Sequence, residues 1–122
     1  MDHYGYVVAW SLLDLIQFIK RLFIMTIHFT NAGNHRGNVR AWMENSKLLN
    51  DHGFHTHTPY KVEYNADQII LTVDIKGPRK VSKTFKGPII DLNNKQMNKY
   101  DFSNGIQWSF DYGQIVISPK PN

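Results

Sequence analysis

An internal repeat restricts the fold of this sequence more than any other feature. Asn45, Lys47, Asn50 and Phe54 recur as Asn93, Lys95, Asn98 and Phe102, each 48 positions further on. Tyr60-Lys61-Val62-Glu63-Tyr64 is matched by Ile106-Gln107-Trp108-Ser109-Phe110, and Gln68-Ile69-Ile70-Leu71-Thr72 by Gln114-Ile115-Val116-Ile117-Ser118, both 46 positions on. Three matching blocks in the same order mean one supersecondary unit used twice, with two residues lost between the first block and the second.

Each copy has the same predicted order. An extended piece (39–43, then 88–92) leads into a short helix (46–52, then 95–100). A turn follows, with Asn104-Gly105 in the second copy, and a hairpin closes the unit. Its strands alternate apolar and polar residues: Tyr60, Val62, Tyr64 and Ile69, Leu71, Val73 in the first copy, Ile106, Trp108, Phe110 and Ile115, Ile117 in the second. Asn65-Ala66-Asp67 and Asp111-Tyr112-Gly113 suit tight reversals. One unit cannot cover its own apolar face, whereas two can cover each other. The expected fold is α+β and mostly β, a pseudo-twofold pair within one chain whose strands form a closed or nearly closed sheet. The expected domain is residues 25–122, with units 39–73 and 88–119 joined by a basic connector, 74–87.

The order of strand, short helix ending in Gly53-Phe54, turn, and hairpin ending in Ile69-Ile70-Leu71 resembles the SpoVT/AbrB-like swapped-hairpin domains. Trp42-Met43-Glu44, Leu48-Leu49 and Tyr60-Lys61-Val62 look like their SymE-type branch. The resemblance covers 39–73 well, 88–119 less fully, and does not reach 1–38. It implies interleaved hairpins in a dimer or pseudo-dimer, with DNA bound on a basic face. SymE-like members are associated with toxin–antitoxin loci. His57-Thr58-Pro59 stands where the family has Gly-Asp or Gly-Thr, so no functional residue is carried over at that turn.

Residues 4–24 are apolar except for Ser11, Asp14, Gln17, Lys20 and Arg21, which draw one polar stripe on a predicted helix. Asp14 interrupts the ~20 uncharged residues that a membrane span needs. The positive charges follow the apolar run, whereas a secretory signal carries them before it. The segment is expected to pack on the domain or a twin subunit, or to be an extension upstream of a start at Met25. A membrane-associated role is disfavoured.

Fourteen Lys and Arg against ten Asp and Glu give a net charge of +4, which favours an acidic partner. The absence of cysteine excludes disulfides and thiolate metal sites and fits a cytoplasmic location. Lys76, Arg79, Lys80, Lys83 and Lys86 cluster in the connector, suited to phosphate contact, with Ser82 and Thr84 as added donors. Arg36 and Arg40 are candidates to extend the patch, and the family resemblance gives Arg40 a DNA-contacting role.

His52, His55 and His57 lie together, but no second ligand group accompanies them, so no metal is expected. They have no paired acid for nuclease chemistry, the scattered Glu44, Asp51 and Glu63 lack two-metal spacing, and no phosphate loop or nucleophile elbow is present. No catalytic residue and no cofactor are assigned. The expected function is nucleic-acid binding, DNA ahead of RNA, as a regulator or toxin-type protein. The alternative is a phage or mobile-element accessory protein that blocks a host defence complex, and RNA cleavage is a more remote option.

Overall fold

The structure, a computed structural model, describes residues 12, 14–16 and 25–122. Residues 12 and 14–16 are helical, with Leu12, Leu15 and Ile16 exposed. The rest of the expected N-terminal helix lies outside the described residues.

Ten strands follow in chain order: β1 (Thr26–Thr30), β2 (Gly33–His35), β3 (Asn38–Met43), β4 (Pro59–Tyr64), β5 (Ile69–Val73), β6 (Arg79–Lys80), β7 (Ser82–Thr84), β8 (Gly87–Leu92), β9 (Ile106–Asp111) and β10 (Gln114–Pro119). Helix α1 (Ser46–Asp51) separates β3 from β4, and a 3₁₀ turn (Lys95–Lys99) separates β8 from β9. An asparagine caps each: the Asn45 side chain accepts from the Leu48 N–H, and Asn94 from the Gln96 N–H. The mostly β, α+β expectation holds, but the described strands form two open sheets and not the single closed or nearly closed one expected. Six strands form one sheet in the order β1-β9-β10-β5-β4-β6, and four form another in the order β2-β3-β8-β7. Every pairing is antiparallel.

The two halves are tied at every level. The four hairpins, β2–β3, β4–β5, β7–β8 and β9–β10, are local, but each also pairs with a strand of the other half. Ile70 lies opposite Val116, 46 positions on, and Trp42 opposite Asp91, 49 positions on. On either side of these pairs the partners interchange: Ile69 with Ile117, Leu71 with Ile115, Ala41 with Leu92, Met43 with Ile90. Side chains add further ties. The Tyr100 hydroxyl donates to the Asn65 carbonyl at 2.6 Å, and Asn98 accepts from the Val39 N–H at 2.9 Å.

The core lies between the sheets. Ala41, Met43, Ile90 and Leu92 of the small sheet meet Ile69, Leu71, Ile106, Trp108, Phe110, Ile115 and Ile117 of the large one. Leu49, Phe54, Met97 and Phe102 close the ends, and all are buried. At roughly 1.5–3 kcal/mol per buried large side chain, these residues dominate the favourable side of folding.

The stretch 74–87 is more than a connector. Its residues form β6, an edge of the large sheet, and β7, an edge of the small one, with buried Val81 between them. Val81 is fixed by two backbone bonds to the turn before β4: it donates to Thr58 at 3.0 Å and accepts from His57 at 2.8 Å. β1 and β2 hold the corresponding edges on the opposite side. In β1 the usual polarity is reversed. Thr26, His28 and Thr30 lie opposite Phe110, Trp108 and Ile106, while Ile27 and Phe29 are exposed. The Trp108 indole N–H accounts for Thr30, donating to its hydroxyl at 2.8 Å.

Candidate nucleic-acid interface

The seven cations named from sequence occupy three kinds of place. Arg40 is half-buried on the outer face of the small sheet. Its Nε and Nη2 donate to the two Asp91 carboxylate oxygens at 2.9 and 2.8 Å, and its guanidinium lies 4.3 Å from the Trp42 ring centre. Burial pushes the Asp91 carboxyl up, but the hydrogen bond and charge of Arg40, with smaller help from Asn93 and His35, leave it below its ordinary range. Arg79 points inward. It sits over the Tyr60 ring at 5.9 Å and donates to the Asp91 carbonyl at 3.4 Å. Burial raises the Tyr60 hydroxyl above its usual range against the pull of Arg79. These two arginines are engaged in holding the fold.

Lys76, Lys80, Lys83 and Lys86 are exposed, and all four belong to the edge ribbon that runs through β6 and β7. Among the described residues the ion pairs are Arg40–Asp91 and Lys47–Asp51, so these lysines carry uncompensated charge. Alternation separates their directions. Lys80 shares the outward face with Lys61 of the neighbouring β4, whereas Lys83 lies opposite Pro88 of β8, on the face of Ile90 and Leu92, and is exposed there. Lys61 therefore joins the basic edge, which only the sheet order reveals.

Arg36 lies elsewhere. It occupies the tip of the β2–β3 hairpin with φ of 53°, and β2 is the edge of the small sheet opposite β7. Because β3 and β8 run antiparallel, the tips of β2–β3 and β7–β8 point to opposite ends of that sheet. Arg36 is not continuous with the lysine edge.

At the β7–β8 tip stands Phe85, 95% exposed. Lys86 Nζ is 5.7 Å from its ring centre. The sequence carries no signal for it, because a single phenylalanine in a stretch whose composition reads as a basic connector has no periodic pattern to mark its side. Its exposure follows from the turn at 85–86, where alternation stops.

A cleft of about 580 Å³ opens where β1 bends into β2. His28, Asn31, Asn34, Arg40, Trp42, Glu44 and Asn45 are among the residues that line it. The histidine trio is dispersed in its bonding. His52 Nδ1 lies 2.8 Å from the Leu48 carbonyl and its ring packs on Phe110, while His55 Nδ1 is 3.0 Å from Asn50 Oδ1. His57 takes a φ of 69° in the turn. Among the described residues no three His, Asp or Glu side chains converge as metal ligands, and no helix is long and apolar enough to cross a membrane.

No family model, curated protein or solved structure matches this chain.

Proposed function

We propose that this protein binds nucleic acid, DNA in preference to RNA, as a regulator or toxin-type protein on an AbrB/SymE-like swapped-hairpin plan. One observation carries the reading: residues 74–87 account for the whole net charge of the chain. They hold five of the fourteen Lys and Arg and one of the ten Asp and Glu, a net +4, which leaves nine of each sign elsewhere. Four of those five cations are exposed along one edge. Lys76 to Lys86 is eleven residues, on the order of 30 Å if extended, enough to follow several phosphates of a backbone. The interleaved pairing of the two halves supports the swapped-hairpin plan.

Replacing Lys80, Lys83 and Lys86 by Ala should weaken binding to any DNA sequence. It should flatten the dependence of log affinity on log salt by roughly two to three units, at about 0.9 per phosphate contact. Base preference should hardly change, since phosphate contacts carry no sequence information. Arg79 stays unaltered in this variant because it packs on Tyr60. A gel-shift series across salt concentrations measures both quantities, and no binding by the unaltered protein at low salt defeats the proposal.

A second reading, an inhibitor of a host protein complex, draws on the apolar residues Met25, Ile27 and Phe29, exposed on and just before β1, an edge strand of the large sheet among the described residues. It predicts negligible DNA or RNA affinity at physiological salt.

A further inference from the structure

We infer that Phe85 is a stacking residue that takes an unpaired base, so that the basic edge recognises single-stranded nucleic acid ahead of duplex. This inference rests on the nucleic-acid reading above. Phe85 is the most exposed large hydrophobic side chain among the described residues, at 95%. It also sits on an anchored turn. The Ser46 hydroxyl donates to the Lys86 carbonyl at 2.8 Å, and the Lys86 N–H donates to the Thr84 hydroxyl at 3.2 Å. Gly87, at φ of +121°, lets β8 start against Ser46, where a Cβ would lie 2.7 Å from the Ser46 oxygen. The aromatic ring is thus presented on a fixed support at the end of a hairpin, which lowers the ordering cost of binding.

The neighbours of the ring select the ligand. Lys83 and Lys86 flank it in sequence, both exposed, and neither takes part in an ion pair among the described residues. An aromatic ring with the Lys86 ammonium beside it and Lys83 two residues away in the chain matches a base attached to a phosphate backbone. Stacking of successive base pairs covers the base faces within a duplex, so a side chain standing on a turn reaches such a face at low cost only in a single strand. A purely apolar protein pocket would leave the two lysines without partners.

The test uses the full chain and three probes of equal length: a thymidine oligonucleotide, its abasic sugar-phosphate counterpart, and a duplex. The unaltered protein should bind the thymidine strand more tightly than either other probe at the same salt. Phe85→Ala should lose roughly five- to a hundredfold in affinity for the thymidine strand while keeping its affinity for the abasic strand and its salt slope. Phe85→Trp should retain affinity, with emission from the new tryptophan quenched by the thymidine strand and not by the abasic one. Unchanged thermal melting of both variants confirms that the exposed site tolerates them. Equal affinity of Phe85→Ala and the unaltered protein for the thymidine strand overturns the inference and leaves the basic edge standing. No binding of any probe at low salt overturns both, as does loss of a protein partner from Phe85→Ala when no probe binds.

Discussion

Arg40 carries the clearest lesson at the scale of single residues. The family resemblance implies a DNA-contacting role for it, yet its guanidinium is committed to Asp91 and Trp42. The partner lies 51 positions away and becomes adjacent only through the β3–β8 register. Asp91→Asn should therefore destabilise the protein by about 1–2 kcal/mol at neutral pH, between the values for exposed and buried pairs. The pH dependence has a definite sign. The folded-state pKa of Asp91 is lowered, so its contribution is present above its unfolded value, about 4, and is lost as pH falls through the folded one. Urea denaturation of both proteins at pH 7 and near pH 3 should show the gap between them closing in acid. A gap that stays constant would mean that the pair contributes through shape alone.

Elements that face two ways were legible, and edges were not. β4 and β9 alternate apolar and polar residues because one face is buried and the other is wet, and β5 and β10 add apolar runs within hairpins, so the sequence marks all four directly. β6 and β7 are short, charged edge strands whose lysines oppose further pairing, and composition alone makes them resemble a linker. β1 misleads in the other direction, since its apolar residues face out and its threonines lie opposite Phe110 and Ile106. The edge ribbon is pinned at Gly77, whose N–H donates to the Asp74 carbonyl at 2.8 Å and whose missing side chain lets it lie against the Tyr60 backbone. A Cβ there would overlap that backbone. Gly77→Ala should cost about 1–3 kcal/mol through overpacking, and it should loosen the lysine edge as well. Gly37, by contrast, has open space and only a positive φ to lose, so Gly37→Ala should cost about 1 kcal/mol. Thermal melts of the two variants, compared under one buffer, test that order.

For the whole molecule, the pairing pattern makes the halves interdependent. Each half contributes an edge strand to the other's hairpin, β1 to β9 and β6 to β4, and the centres of both sheets are joints between halves. A fragment of residues 25–74 should lack fixed tertiary structure alone and regain it on mixing with 75–122, as read by near-ultraviolet circular dichroism. A cooperative thermal transition in either fragment alone, as a monomer, would show that the units fold independently. What the sequence determined by itself is the repeated unit: its helix positions, its alternating hairpins and its aromatic core residues, because propensity and period act over a few neighbouring residues. Only the tertiary structure decided which strand sits beside which. That choice tied Arg40 to Asp91 on the outer face of the small sheet, turned Arg79 onto Tyr60, added Lys61 to the basic edge and put Arg36 on the far side. Burial and charge at these positions depend on partners about 20 to 80 residues away, and no local pattern encodes that distance.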